Sequence, residues 1–200
     1  LHLSDLHFRG GESSRAGSAR EVALRELIGL AASWDGEWRP DLVVVTGDIA
    51  WAGTEGDYRA AEEWLRRLLG ALNLDPAQLH LCPGNHDVYD PDAEQLAWPA
   101  EQDTTQADNL LAGPVPPQRQ GLFREFEASC RRLGVPPSEA VIGCGDPTAL
   151  WGVRRGADVD IFVCNSAWFA RAKVEDRNRL WLGLPLLKHV EAAGHLHRQA

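Results

Sequence analysis

The sequence predicts an α/β fold in which a β-sheet core, with parallel strands at its centre, is flanked by helices. Two observations carry this prediction. From residue 1 to about residue 90, short apolar segments alternate with longer segments whose apolar residues recur at helical spacing. Each of the first three short segments also stops at polar residues, as strands do where their carboxyl ends form a ligand-binding edge.

The first half of the chain follows the order βαβαβ. Residues 1–4 form a short apolar strand, and residues 18–33 form an amphipathic helix. Residues 41–48, DLVVVTGD, are rich in β-branched side chains, as is typical of a buried parallel strand. A second helix begins after Thr54, its expected N-cap, and the third strand, QLHLC, occupies residues 78–82.

The second half of the chain is less regular. Residues 88–120 are rich in Pro, Asp and Gln, so we expect a long insertion near the active edge of the sheet. A helix is predicted over about residues 121–133, two strands over residues 149–154 and 159–164, and a last helix from Pro185. Because no internal repeat and no interdomain linker is visible, residues 1–200 are predicted to belong to one domain.

The composition disfavours several classes of protein. No apolar run reaches the roughly 18 residues of a membrane span, and the first residues do not resemble a signal peptide. The 4 cysteines form no CxxC pair, which favours a reducing, cytoplasmic location. The net charge of -9 disfavours nucleic acid as a partner, since binding to a phosphate backbone requires clustered Lys and Arg.

Polar residues of the metal-ligand type follow the first three strands. They are Asp5 and His7, then Asp48, then Asn85, His86 and Asp87. Any one of them alone is more often a turn former or a helix cap than a functional residue. Three consecutive strands that deliver such residues to one edge indicate a metal site, and strand alternation predicts that Asp5 and His7 point to the same side.

These residues carry a resemblance to a known family. The motifs SDLHF, TGDIA and PGNHD, in this order and at these strand ends, resemble the calcineurin-like metallophosphoesterases. The resemblance covers residues 1 to about 90 and is closest to the branch that includes the bacterial cyclic-nucleotide phosphodiesterases. It implies a layered metallophosphoesterase-type fold and hydrolysis of a small phosphoester, with a phosphodiester preferred over a monoester. Asp87 would orient a neighbouring residue through hydrogen bonds.

The resemblance also implies roles for individual residues. Asp48 matches the carboxylate that bridges two divalent cations, which lie roughly 3.5–4 Å apart in such centres. Asp5 and His7 would bind one cation, and Asn85 would bind the other and contact the substrate. His86 matches the histidine beside the phosphate, where it would bind the substrate and either protonate the departing alkoxide or stabilise the charged transition state. Mixed N and O ligands are consistent with manganese, iron or zinc and do not choose among them.

Other polar and aromatic residues near these motifs have plainer expected roles. His2 is out of phase with the first motif, which places it on the other face of the sheet, and His80 is expected to be a core histidine. Trp51 is expected either to form a wall of the pocket or simply to pack. Asn165 and Ser166 are expected either to approach the site or to form a turn.

The sequence GHLH at residues 194–197 matches the letters of the last metal-binding motif of the family. In the family that motif ends a strand, whereas here the preceding residues, PLLKHVEAA, have helical spacing. We therefore interpret His195 and His197 as helix-end or loop residues, the alternative being a compressed site with a rearranged carboxyl-terminal half. The predicted domain is then partial and incomplete at its carboxyl-terminal end, with room for additional domains beyond residue 200. On this interpretation, the 200 residues alone bind metal weakly and hydrolyse an aryl phosphodiester slowly or not at all.

The sequence leaves two alternatives to a metal-dependent phosphodiesterase. One is a degenerate phosphoesterase module that only binds its ligand. A stoichiometric pair of metal ions would distinguish an enzyme from such a module. The other alternative is a nuclease of the same family, which the net negative charge of the chain disfavours.

Overall fold

The computed structural model of the chain describes residues 1–10, 19–89, 104–112, 117–139, 149–156, 159–171, 180–182, 187–188 and 191. In this part of the chain, strands and helices alternate. They are β1 (His2–Leu3), α1 (Ala19–Ala31), β2 (Val43–Thr46), α2 (Glu55–Leu72), β3 (Leu79–Cys82), α3 (Thr104–Leu111), α4 (Pro117–Gly121), α5 (Arg124–Leu133), β4 (Trp151–Arg154) and β5 (Ile161–Cys164). Three short 3-10 helices lie in the connections, at Gly36–Trp38, Pro76–Gln78 and Asn85–Asp87. A parallel sheet combined with helices confirms the predicted α/β class.

The first three strands form the parallel sheet, in the order β1-β2-β3. The strand β2 is central, because Val44 lies opposite His2 on one side and opposite His80 on the other. Val43 and Val45 are completely buried in the core, as the β-branched run predicted. All three strands end before the polar residues of the three motifs. The motifs therefore lie in the loops that follow the strands, at one edge of the sheet.

Helix α2 packs against α1 and α5 and is capped as predicted. The Thr54 hydroxyl accepts a hydrogen bond from the Asp57 backbone N–H at 3.3 Å, and the Asp57 carboxylate accepts one from the Thr54 N–H. The buried side of the helix includes Tyr58, Leu65 and Leu72. These are residues whose helical spacing predicted this element, so the sequence pattern and the packing agree.

Strands β4 and β5 form a separate two-stranded antiparallel sheet. Both predicted strands are therefore confirmed, but within the described residues they do not join the parallel sheet. Strand β5 contacts β3, where the Cys82 Sγ donates a weak hydrogen bond to the Cys164 carbonyl oxygen at 3.2 Å. The predicted helix that precedes them is α5, which ends at Gly134 in the left-handed conformation, with φ of 79°.

Part of the predicted insertion, residues 88–120, is helical and packed. Helix α3 and most of α4 lie within it. Ala107 and Leu111 of α3 are buried in the core. Arg119 of α4 is also buried, and it donates to the Trp168 carbonyl oxygen at 3.1 Å. The described part of this segment therefore contributes to the core, which its composition did not predict.

Several predicted features fall outside the described residues. Leu187, Lys188 and Glu191 are helical, in keeping with the last predicted helix, but the beginning of that helix is not among the described residues. His195 and His197 also lie outside the described residues. Within the described ranges, none of the helices combines the length and the apolar character needed to cross a bilayer.

We expect His80 to make the stability of this fold dependent on pH. Burial, together with the Arg154 guanidinium whose Nη1 lies 3.5 Å from His80 Nδ1, lowers the pKa of His80. A histidine with a lowered pKa contributes stability that is present above its unfolded pKa and is lost as the pH falls through its folded pKa. We therefore expect the free energy of unfolding to decrease as the pH falls below about 6.5, and to decrease less in H80Q. Urea denaturation of both proteins across this range measures the difference, and equal pH slopes would contradict the prediction.

Candidate metal centre

The loops that follow β1 and β2 run side by side. The backbone N–H of Asp5 donates to the Gly47 carbonyl oxygen at 3.2 Å, and that of His7 donates to the Asp48 carbonyl oxygen at 2.8 Å. These two bonds continue the parallel pairing beyond the ends of both strands. The first and second motifs are therefore held in a fixed register.

The ligand-type residues of these loops have left-handed backbone conformations. The φ angle is 57° at Asp5, 47° at His7 and 53° at Asp48. A left-handed conformation costs a non-glycine residue about 1–2 kcal/mol, and such conformations are concentrated at functional sites. The predicted reason for the alignment of Asp5 and His7, alternation along a strand, was wrong, because neither residue lies in β1. Instead, the left-handed residues turn the chain so that both side chains reach one point.

His7 lies between two carboxylates. Its Nε2 is 3.9 Å from Asp5 Oδ1 and 3.8 Å from Asp48 Oδ2. These separations are too long for hydrogen bonds, but they suit ligand atoms that each lie about 2.1 Å from one shared cation. Burial lowers the pKa of His7, which favours the neutral imidazole that binds metals. The second ring nitrogen, Nδ1, is buried and has no hydrogen-bond partner among the described residues.

His86 is held beside His7 and Asp48. Its backbone N–H donates to Asp48 Oδ1 at 3.0 Å, and its Nδ1 bonds to the Trp51 carbonyl oxygen at 2.9 Å. The second bond places a proton on Nδ1, since a carbonyl oxygen can only accept. The His7 and His86 rings are 4.7 Å apart between centroids. Ligand-type atoms of His7, Asp48 and His86 all lie within 4.8 Å of one another, so this group could hold a metal ion.

Asn85 reaches the same edge from the third motif. It begins the 3-10 helix that follows β3, and with Asp5 and Asp48 it lines a cavity of about 420 Å³. Residues from β5 and the turn after it, including Cys164 and Ser166, line the same cavity. The structure thus brings Asn85 to the site, and its role as a metal ligand stays a prediction.

Asp87 connects the second and third motifs. Its buried carboxylate accepts four hydrogen bonds, from the backbone N–H groups of Ile49, Ala50 and Gly84 at 3.2, 2.8 and 2.8 Å and from the Tyr58 hydroxyl at 2.9 Å. Burial raises the pKa of Asp87 to about 6, against the hydrogen bonds, which lower it. A Cβ atom at Gly84 would overlap Asp48 Oδ1, so the third motif requires glycine there. Asp87 therefore orients its neighbours, as the sequence predicted.

Trp51 and Arg20 support the site. The Trp51 ring centroid is 5.0 Å from that of His86 and 5.5 Å from that of His7, so Trp51 packs against both imidazoles, although it is not among the residues that line the cavity. Arg20 of α1 donates to the His7 carbonyl oxygen at 3.0 Å and also to that of Leu6. The sequence carries no signal for Arg20, because the carbonyl groups that it binds belong to another segment.

The remaining candidate residues have different positions. His2 Nε2 bonds to Thr46 Oγ1 at 2.7 Å, which gives His2 a partner other than the proposed ligands. Asn165 is completely buried, and its side-chain oxygen accepts from the Ala167 backbone N–H at 2.7 Å, as in a turn. Ser166 lines the cavity. Of this pair, Asn165 therefore serves the turn and Ser166 approaches the site.

Comparisons with known proteins agree with this geometry. Residues 1–126 match the family described as calcineurin-like phosphoesterase. The glycerophosphodiester phosphodiesterase GpdQ of Enterobacter lignolyticus (strain SCF1) is 41% identical over 93 residues. That match covers 43% of this chain and 28% of the relative, so the chain matches less than a third of the relative's length. Because the family match extends over more than half of its residues, the chain belongs to the calcineurin-like phosphoesterase family of metal-dependent hydrolases.

Proposed function

We propose that the protein hydrolyses a phosphodiester at a binuclear centre of divalent metal ions. The observation that carries the proposal is the convergence of two imidazoles and two carboxylates at one edge of the sheet. His7, Asp48 and His86 offer ligand atoms within 4.8 Å of one another, and Asp5 Oδ1 is 3.9 Å from His7 Nε2. Nitrogen and oxygen donors suit manganese, iron or zinc. The family match and the phosphodiesterase activity in the relative's name support the reaction class.

Four residues hold the metals in the proposed centre. Asp48 would bind both cations, Asp5 and His7 would bind one of them, and Asn85 would bind the other. Because Asn85 is neutral, these motifs supply only two anionic ligands, which leaves a net positive charge for an anionic phosphoester. The bound cations would polarise the phosphoryl group and lower the pKa of water.

His86 is proposed to act on the substrate. Its Nδ1 proton is committed to the Trp51 carbonyl oxygen, so Nε2 is the ring atom available to the substrate. In the protonated imidazole, Nε2 donates a proton to the departing alkoxide. The bond from the His86 backbone N–H to Asp48 Oδ1 keeps the ring beside the centre.

The variant H86Q separates the two roles that the geometry allows for His86. If His86 acts on the substrate, the bound metal stays unchanged while turnover falls about 100-fold or more. If His86 is a ligand, the metal content falls as well, which would contradict our assignment. Elemental analysis and a turnover assay measure the two quantities. The matched control is H2Q, which removes a histidine that bonds to Thr46, and we expect it to change neither.

The substrate class is tested with bis(4-nitrophenyl) phosphate and 4-nitrophenyl phosphate in the presence of manganese. We expect faster hydrolysis of the diester, since it brings one negative charge to a protein of net charge -9 and the monoester brings up to two. Faster hydrolysis of the monoester would contradict the preference. Absence of both a metal pair and turnover would instead indicate a binding module. Robust turnover by residues 1–200 alone would contradict the expectation of a partial domain, and its loss in H195A would assign the terminal histidines to the site.

The organisation of the chain is part of the proposal. Residues 1–200 form one metallophosphoesterase domain, in which residues 88–120 are an insertion near the active edge. We place the protein in a reducing, cytoplasmic setting. Within the described residues, Cys82, Cys130 and Cys164 are free thiols, which supports this placement.

A further inference from the structure

Arg9 is stacked on Trp51 beside the proposed metal centre. Its Cζ lies 3.9 Å from the centroid of the Trp51 ring, within the range of a cation–π interaction. The centroid of that ring is 5.5 Å from that of His7 and 5.0 Å from that of His86. Arg9 therefore contacts the aromatic ring that packs against both imidazoles.

Backbone hydrogen bonds hold this stack in register. The Phe8 N–H donates to the Ile49 carbonyl oxygen at 2.9 Å, and the Trp51 N–H donates to the Phe8 carbonyl oxygen at 2.9 Å. A parallel bridge joins Phe8 to Ala50. Arg9 and Trp51 directly follow these paired residues. A side chain that is already positioned loses less entropy when it binds a ligand.

The charge and exposure of the stack suit an anionic ligand. Arg9 is exposed, and the Trp51 residue is 38% exposed. Arg20, another arginine near the first motif, bonds to two carbonyl oxygens of that motif. The chain has a net charge of -9, so an exposed cation on Trp51 opposes the repulsion of an anion. The planar guanidinium matches the geometry of phosphate oxygens.

We propose that Arg9 binds a non-bridging oxygen of the substrate phosphoryl group and that Trp51 is the positioning residue that holds Arg9 at the centre. The inference rests on the proposed function and adds a recognition element to the same site. Because Arg9 would contact the phosphoryl group before and during the reaction, its loss raises KM more than it lowers kcat. Arg9 covers one face of Trp51. That face therefore supports Arg9 and does not stack on an aromatic substituent of the substrate.

Binding of inorganic phosphate to the manganese-loaded protein, measured by titration calorimetry, tests the role of Arg9. We expect R9Q to bind phosphate roughly tenfold more weakly, because a charge-assisted hydrogen bond is lost, and R9K to be intermediate. The matched control is R59Q, since Arg59 is exposed on α2 and pairs with Glu55. R59Q should bind phosphate as the unchanged protein does. Phosphate affinity of R9Q within about twofold of that of the unchanged protein would overturn the proposal.

Variants of Trp51 test its positioning role. W51L should weaken phosphate binding about as much as R9Q does, while W51F, which keeps an aromatic face, should retain most of the affinity. The double variant W51L/R9Q should lose no more phosphate affinity than the single variant with the larger loss, because both substitutions act on one contact. Additive losses would overturn the positioning role.

The outcome also separates this inference from the proposed function. If the unchanged protein binds neither manganese nor phosphate, the proposed function and this inference both fail. If it binds manganese but not phosphate, or if R9Q keeps the KM of the unchanged protein during metal-dependent turnover, only this inference fails.

Discussion

Replacement of Asp48 by alanine is expected to abolish metal binding and hydrolysis together. Asp48 Oδ2 lies 3.8 Å from His7 Nε2, and Asp48 Oδ1 accepts the His86 backbone N–H at 3.0 Å. D48A therefore removes the proposed bridging ligand and the anchor of His86. Loss of a residue that only hydrogen-bonds to a metal ligand already lowers metal affinity or activity roughly 10–100-fold. Loss of a ligand itself should cost more, so we expect manganese affinity to fall by at least about 100-fold and turnover to reach background. Elemental analysis and hydrolysis of bis(4-nitrophenyl) phosphate measure both.

Two further variants make the result specific to the metal centre. D48N keeps the shape of the side chain and the acceptor for His86, and asparagine tolerates the positive φ angle of 53°. It should stay folded while it binds manganese weakly. D41A removes the same charge at the other end of β2, where Asp41 is exposed, and should leave metal content and turnover unchanged. Unaltered manganese affinity in D48A would contradict the bridging role.

Replacement of Asp87 by alanine is expected to cause the largest loss of stability. Its carboxylate accepts four hydrogen bonds, and those from the Ile49 and Ala50 N–H groups and the Tyr58 hydroxyl are buried. Each buried donor left without a partner costs about 1–3 kcal/mol, partly recovered when the structure relaxes. We expect the free energy of unfolding of D87A to fall by about 3–4 kcal/mol. Urea denaturation in the absence of added metal measures this change.

A graded series separates the hydrogen bonds of Asp87 from its volume. Y58F removes one donor and should cost about 1 kcal/mol. D87N keeps one acceptor oxygen but turns an amide group toward backbone N–H groups. The free energy of unfolding that D87N loses should therefore lie between the losses of Y58F and D87A. If D87A were no less stable than Y58F, the four bonds would not be the reason that the third motif contains Asp87.

The sequence was sufficient to predict the five strands, helices α1, α2 and α5, and the edge at which the polar residues meet. Helical spacing predicted α2 and α5, and β-branched or apolar runs predicted β2 and β3, because these patterns depend only on local periodicity. The carboxyl ends of parallel strands lie at one edge of a sheet. The order of the motifs was therefore enough to predict that Asp5, His7, Asp48 and His86 lie close together.

The structure was needed where distant segments set the local conformation. The left-handed residues Asp5 and His7 bond to carbonyl groups of the second motif, more than 40 positions away along the chain, so no local pattern reveals them. Whether β4 and β5 join the first sheet or form another depends on which strand edges meet. The burial of α3 depends likewise on what it packs against.

By itself, the sequence determined the α/β class, the order of the elements through β3 and the side-chain types that the three motifs bring together, because periodicity and side-chain type are properties of neighbouring residues. Only the tertiary structure decided how that chemistry is held. Asp87 collects donors from three segments, and Arg9 stacks on Trp51 from a separate loop. Such contacts join residues that are far apart in the chain, and their geometry follows from packing and backbone hydrogen bonds rather than from composition or spacing.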